Sequence, residues 1–372
     1  MRKVYLDNAA TTMMEPSVIE LMHSLMAKNY GNPSSIYELG RQSRVIVEKA
    51  RTVIARLLNV LPANIFFTSG GTESINTLIS GLLQREDIKA IITSPIEHTA
   101  MLKSIEYYAN IFNKEVIYLD IDRFGHIDLA QLNKILSEKE EKSLVSLMHA
   151  NNEIGSLLPL KKVSEVCRNN NALFLSDTVQ TIGKFRNDFS TGILDFAVGS
   201  AHKFHGPKGV GFMYINNNEK VIPLMQGGSQ ERNMRAGTEN FIAIAAMAKA
   251  MEIAYENIDL QNNKYIKLKD YLVNKLKSEV ADIIINSDKT SLPNILNIGI
   301  PKKPDNEMYL IRLEMNGIFV SGGSACGSGA VKESHVIKAI GKANTIRPIR
   351  LAMSKFTTQK DLDYFIEVLK KL

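Results

Sequence analysis

Seven short apolar, β-branched runs lie between about residues 64 and 215, and an amphipathic helical pattern separates each from the next. Strands that are apolar throughout, joined by helices, must bury both faces, so this pattern restricts the chain to a mainly parallel sheet covered by helices on either side. The runs are 65–68, 90–93, 116–119, 144–148, 172–176, 196–199 and 210–214. In such a sheet, functional groups gather at the carboxyl ends of the strands. Beyond Gly237 the sequence turns alanine-rich and helical through about Asn257, with Ile242, Ala246, Ala250 and Ile253 on one face. From 258 onward the apolar runs at 283–285, 295–298 and 311–313 predict a smaller α+β domain, which the segment 4–6 joins. The expected division is a large domain over 13–257 and a small one formed by 1–12 and 258–372.

With 372 residues and 45% hydrophobic content, the chain can bury one sizeable core and a satellite. Its formal net charge of +6 is scattered, and the one dense cluster, 138–142, has mixed sign, as at a solvated helix end. No basic stripe with interleaved aromatics predicts a nucleic-acid partner. Cys167 and Cys326 are too few for a disulfide framework and lack metal-ligand spacing, so no metal is expected and a reducing compartment fits best. Cys167 falls on an amphipathic helical pattern and reads as a small buried hydrophobe. Charge and amide arrive at once in Met1-Arg2-Lys3-Val4-Tyr5-Leu6-Asp7-Asn8, which is no export signal. Every apolar run is far shorter than the roughly 20 residues a bilayer requires. The expectation is a cytoplasmic protein with no membrane contact.

Cys326 sits in the segment 320–330, which holds four glycines and nothing bulky. Glycine costs the most entropy to order, so the loop, about 320–334, reads as one that carries a sulfur to and from a site elsewhere. Several strand ends bear polar groups. Thr68-Ser69-Gly70-Gly71-Thr72-Glu73 opens a helical pattern, whose exposed N–H groups suit a phosphate. Asp177 follows one run and Lys203 follows another. A lysine able to form a Schiff base and an acid to keep a ring nitrogen protonated are what pyridoxal phosphate requires. His98 ends a further strand and could stack on a flat ring or move protons. Asn152, beside Glu153, offers a neutral amide to a phenolic oxygen. Taken one at a time, Asp177 reads sooner as a helix cap, Lys203 as a surface charge and His98 as a structural residue than as functional groups.

Together these residues resemble the pyridoxal-phosphate-dependent cysteine desulfurases of the class V aminotransferase superfamily, in the group with Ser-x-x-Ser-Ala-Cys in a long loop. The resemblance rests on Tyr5-Leu6-Asp7-Asn8-Ala9-Ala10-Thr11-Thr12, Gly31-Asn32-Pro33-Ser34-Ser35, Glu97-His98, Asn151 to Gly155, Asp177-Thr178-Val179-Gln180, His202-Lys203 with Gly206-Pro207-Lys208-Gly209, Arg235-Ala236-Gly237-Thr238 and Ser324-Ala325-Cys326. It implies an aspartate-aminotransferase-like α/β fold, type I among pyridoxal-phosphate enzymes, and a homodimer. Lys203 would carry the cofactor, Asp177 would face its ring nitrogen, and Gln180 and Asn152 its phenolic oxygen. His98 would stack on the ring, with Gly71, Thr72, Ser200 and His202 at the phosphate and Thr238 donated by the other subunit. Arg350, with Asn152 near it, would receive the carboxylate of L-cysteine, since a guanidinium fork suits a carboxylate.

The implied reaction turns L-cysteine into L-alanine and leaves the sulfur as a persulfide on Cys326, to be passed to an acceptor protein in iron–sulfur assembly or another thio-modification pathway. Departures are Tyr37 where a histidine is usual, Ala236 where a serine is usual, and Leu351-Ala352-Met353-Ser354-Lys355 after Arg350. The sequence stops at Leu372, before the longer tail of relatives that dock an iron–sulfur scaffold, so a more specialised acceptor is an alternative. A selenocysteine lyase, a cysteine sulfinate desulfinase and a catalytically silent binding partner are rival readings.

Overall fold

The computed structural model describes residues 2–216, 219–323 and 333–371. The chain opens with strand β1 (Val4–Tyr5), followed by helices α1 (Pro16–Lys28) and α2 (Glu38–Leu58). Proline in the first turn of α1 costs no hydrogen bond, and Asn59 ends α2 in the left-handed conformation at φ 56°. Then come β2 (Ile65–Thr68), α3 (Gly71–Leu83), β3 (Ile88–Thr93), α4 (Thr99–Ile111), β4 (Glu115–Tyr118), α5 (Leu129–Ser137) and β5 (Lys142–Ser146). The alternation continues through α6 (Leu160–Asn169), β6 (Leu173–Asp177), β7 (Phe196–Ser200) and β8 (Gly211–Ile215).

These strands form one seven-stranded sheet in the order β2-β8-β7-β6-β5-β3-β4. Only β8 runs against its neighbours; the remaining pairs are parallel. Because side chains alternate across a strand, Ile92, Val145 and Phe174 enter the core shared with α2, α5, α6 and α7, whereas Ile91, Leu144 and Leu175 enter the core beneath α3 and α4. Each of the seven runs read from the sequence falls within two residues of an observed strand. Cys167 is 1% exposed, and burial pushes its thiol up to about 12, as expected of an inert hydrophobe.

Helix α7 (Phe241–Glu256) packs its Ala246 and Ala250 against α1 and α2, and Asn257 separates it from α8 (Ile258–Glu279). The remaining elements are β9 (Ile284–Ile285), β10 (Ile295–Pro301), α9 (Tyr309–Met315), β11 (Ile318–Phe319), α10 (His335–Ala339), β12 (Ile346–Ala352) and α11 (Gln359–Leu369). Strands β12, β10 and β9 make an antiparallel sheet, and β1 pairs with β11. The run 311–313 lies in α9, so this apolar triplet is helical. Leu6, Leu272, Leu296, Leu351 and Phe365 share a second core, which ties the amino-terminal strand to the last third of the chain.

A buried ion pair holds the turn at 229–233 against the central sheet. Arg51 donates to both oxygens of Glu231 at 2.7 and 2.8 Å, and Glu231 also accepts from the Phe67 amide at 2.8 Å. Both side chains are at most 3% exposed. Removing one partner strands the other charge out of water, so Glu231→Ala should cost about 3–5 kcal/mol. Urea denaturation of wild type and variant checks this, and an unchanged midpoint would show that Arg51 finds other partners.

Candidate active site

The carboxyl ends of β2, β3, β5, β6 and β7 lie along one edge of the central sheet, and a cavity of about 240 Å³ opens there. It is lined by Gly71, Thr72, His98, Asn152, Asp177, Gln180, Ser200, His202, Lys203 and Arg350, together with Ala9 and Ala10. Ten of the twelve residues singled out in the sequence therefore meet in one place. Thr238 stands outside, exposed, in a separate hollow with Thr68 and Arg235. Cys326 lies outside the described residues.

The glycine pair works as a cradle. Gly70 holds φ 154°, and Gly71 begins α3 so closely packed that an added Cβ would meet Val179 Cγ2 at 3.1 Å. Gly211 opens β8 against it, where a Cβ would meet Gly70 Cα at 2.7 Å. The free amides of a 13-residue helix thus face the cavity beside Ser200, a place suited to an anion. Glu73, in the first turn, is turned away by its ion pair with Arg235 at 2.8 Å.

Asp177 ends β6, 6% exposed, with one oxygen accepting from the Val179 amide at 2.9 Å. Burial raises its carboxyl pKa, while His98, that amide and Lys203 pull it back. The carboxylate therefore gains from any cation brought into the cavity. Gln180 donates to the Ala9 carbonyl at 3.0 Å, which leaves its buried Oε1 without a partner. Lys203, in the helical turn after β7, donates from Nζ to the carbonyls of Ala9 at 2.6 Å and Ala10 at 2.8 Å. His202 Nδ1 lies 3.2 Å from Thr11 Oγ1, and burial, helped by Lys203, holds its pKa down at about 4.

His98 caps α4: its Nδ1 accepts from the Ala100 amide at 3.1 Å. A neutral ring bonded in this way carries its proton on Nε2. Burial lowers its pKa, opposed by Asp177, so the ring is a flat, neutral donor at the cavity wall. The bond to Ala100 is the structural part that the sequence allowed for this histidine.

Arg350, on β12, is 1% exposed and comes from the other side of the cavity. It donates to Asp7 Oδ1 at 2.6 Å and to the Asn152 carbonyl at 3.1 Å, and its Nε has no partner. The guanidinium is thus held in the cavity wall from two sides. Asp7 is the neighbour of Arg350 to which sequence reasoning gave no role, because its partner lies 343 positions away. The same holds for the Ala9 and Ala10 carbonyls that hold Lys203. Among the described residues, no group of three His, Cys, Asp or Glu could hold a metal ion.

A mostly parallel sheet whose strand ends bring a lysine, a buried acid and a glycine-led helix start into one cavity is the architecture of an aminotransferase. The chain belongs to the class-V aminotransferase family, which it matches over residues 4–365. Within that family it is similar to "Cysteine desulfurase IscS" of Dictyoglomus turgidum, 39% identical over 376 residues that span this whole chain and 94% of the relative. A solved NifS-like protein superposes with a TM-score of 0.90 at 35% identity, covering all of this chain and 99% of that one. Another solved structure, SspA in complex with cysteine, gives a TM-score of 0.82 at 28% identity over 96% of this chain and all of that one.

Proposed function

We propose that this chain is a cysteine desulfurase that uses pyridoxal phosphate to convert L-cysteine to L-alanine. The observation that carries the reading is the convergence of Lys203, Asp177, Gln180, His98 and the Gly71 helix start on one cavity, with Arg350 aimed into it. The relatives named cysteine desulfurase and the NifS-like structure support it.

The residues present fit the cofactor. The glycine cradle and the α3 amides, with Thr72, Ser200 and His202, would hold its phosphate. Gln180, through an N–H of its side-chain amide, and Asn152 would face its phenolic oxygen, and Asp177 its ring nitrogen. Bound there, pyridoxal phosphate supplies an electron sink for a substrate Cα that has lost its proton. Arg350, in the cavity wall, would receive the substrate carboxylate and so orient the Cα–H bond. The Lys203 side chain would hold the cofactor and, as a free amine, would accept that proton at Nζ. His98, in the cavity wall, would cover the ring face, exclude water and offer Nε2–H to the substrate side. The Cys326 thiolate then forms a bond to the substrate sulfur as the Cβ–S bond breaks. The electron pair stays on the carbon skeleton, which takes up protons and leaves as alanine, and Cys326 retains a persulfide.

Cys326→Ala should lower alanine formation by about 10³-fold or more, the scale of losing a catalytic nucleophile. Undiminished turnover by the variant, or equal turnover of selenocysteine, would reassign the chain to a lyase or desulfinase.

The working unit in this reading is a homodimer, with Thr238 reaching the partner's cavity. Met13, Ile19, Met26, Tyr30, Ile36 and Tyr37, on α1 and in the segments that flank it, are all more than half exposed, an apolar surface that a second copy would cover. The division into domains at 257–258 belongs to the same reading, as do delivery of sulfur to an acceptor protein and a cytoplasmic setting. Among the described residues, no helix is long and apolar enough to cross a membrane.

A further inference from the structure

We propose that Lys184 is a positioning residue, which ties the turn bearing Gln180 to the turn bearing Lys203 from behind and so keeps their side chains correctly spaced at the cofactor. The inference rests on the desulfurase reading above. Gln180 and Lys203 follow neighbouring strands, since β6 ends at Asp177 and pairs with β7, which ends at Ser200. At the strand ends Thr178 joins the two, its Oγ1 donating to the Val198 carbonyl at 2.7 Å. Beyond that point each turn leaves the sheet, and the spacing between them depends on the groups that cross from one to the other.

Side chains cross in front and behind. In front, the Ala9 carbonyl accepts from Gln180 Nε2 at 3.0 Å and from Lys203 Nζ at 2.6 Å. Behind, Lys184 Nζ donates to the carbonyl of Gln180 at 2.8 Å and to that of Lys203 at 3.4 Å. The two ties differ in what the cofactor asks of them. Lys203 must leave the Ala9 carbonyl to hold pyridoxal phosphate, so its half of the front tie is given up when the site is loaded. The rear tie uses main-chain oxygens, which the cofactor does not need.

Lys184 is itself firmly mounted. Its amide donates to the Thr181 carbonyl at 3.0 Å, and its carbonyl accepts from Asn262 Nδ2 at 2.8 Å. Gly183, at φ 76°, makes the bend that precedes it. Asn262 belongs to α8, so the tie runs from that helix to the turn of the cofactor-bearing lysine. Lys184 lines a cavity of about 260 Å³ whose other titratable groups are Glu15, Lys203, His205, Tyr265 and Lys355, and Glu15 is paired with Lys355. Burial, with Lys203 close by, holds the Lys184 pKa down at about 7. A neutral amine keeps two N–H donors, so both carbonyls can be served on either side of that pH. Withdrawing an amine from water is costly unless it is hydrogen-bonded. An apolar side chain would fill the same space at less cost, and its place is taken by a group that joins two carbonyls.

The test uses the holoenzyme and two readouts. Equilibrium dialysis gives the Kd of pyridoxal phosphate, and turnover with the cofactor saturating gives kcat and KM for L-cysteine separately. Lys184→Met should raise the Kd about tenfold and lower kcat about tenfold, the scale of a lost hydrogen bond from a charged group. KM should stay within about twofold, because Arg350 is untouched. Lys184→Arg, which keeps donors for both carbonyls, should recover most of both losses. Asn262→Ala, which loosens the mounting of Lys184, should raise the Kd about threefold. Wild-type Kd and kcat in Lys184→Met would overturn the inference, as would a wild-type Kd in Asn262→Ala should the first variant not fold. So would an arginine variant no better than methionine, or a rise in KM that matches the fall in kcat. A wild type that binds no pyridoxal phosphate, or holds it and turns over no L-cysteine, would instead refute the reading on which the inference rests.

Discussion

Lys203→Ala should lower cysteine turnover by about 10⁴-fold, the upper end of what general acid–base catalysis alone contributes. The lysine has two tasks in the proposed reaction, as the amine that holds the cofactor and as the carrier of the Cα proton. Its Nζ is steered to the cavity floor by the Ala9 and Ala10 carbonyls, 2.6 and 2.8 Å away. No neighbour can take its place. Lys184 is the nearest candidate, since burial lowers its pKa to about 7 and so favours a nucleophilic neutral amine. Its Nζ, however, donates to the carbonyls of Gln180 and Lys203, and it lines a neighbouring cavity that Lys203 shares, not the one that holds Asp177 and His98. Borohydride reduction of the wild-type holoenzyme followed by peptide mapping should label Lys203, and the variant should take no label. A label at Lys184 in the wild type would overturn the assignment.

Asp177→Asn carries the second large effect. A carboxylate about 4 Å from a protonated ring nitrogen is worth on the order of 4 kcal/mol at an effective dielectric of about 20. Asparagine preserves the shape and the hydrogen bond from Val179 but not the charge, so turnover should fall by about 10³-fold, at 1.36 kcal/mol per factor of ten. The cofactor should also leave the variant more readily on dialysis, seen as loss of absorbance at about 400 nm, an expectation of the cofactor's chemistry. Turnover within tenfold of wild type would show that Asp177 does not face the ring nitrogen.

Much of this site could be read from the sequence because, Arg350 and Thr238 apart, its residues lie at or soon after the end of a recognisable strand. Asp177 closes an apolar run, Ser200 closes the next, and Gly70-Gly71 separates a run from a helical pattern. Local periodicity locates such positions, and sheet topology then brings them to one edge. Thr238 shows the limit of the rule: it lies in an irregular segment, exposed and outside the cavity of its own chain. The triplet 311–313 shows another, because three apolar residues have no period of their own and α9 is set by what it packs against.

The identities and order of the strand-end residues, and with them the class of chemistry, were determined by the sequence alone, since strand and helix periods are written into neighbouring positions. The tertiary structure decided how the amino terminus takes part. Only folding sets Asp7 against Arg350, the Ala9 and Ala10 carbonyls against Lys203, and Glu153 against Ser334, separated by 343, about 190 and 181 positions. Contacts at such separations leave no periodic trace, because nothing local in the chain depends on them. They exist once β1 pairs with β11 and the two cores close around the cavity.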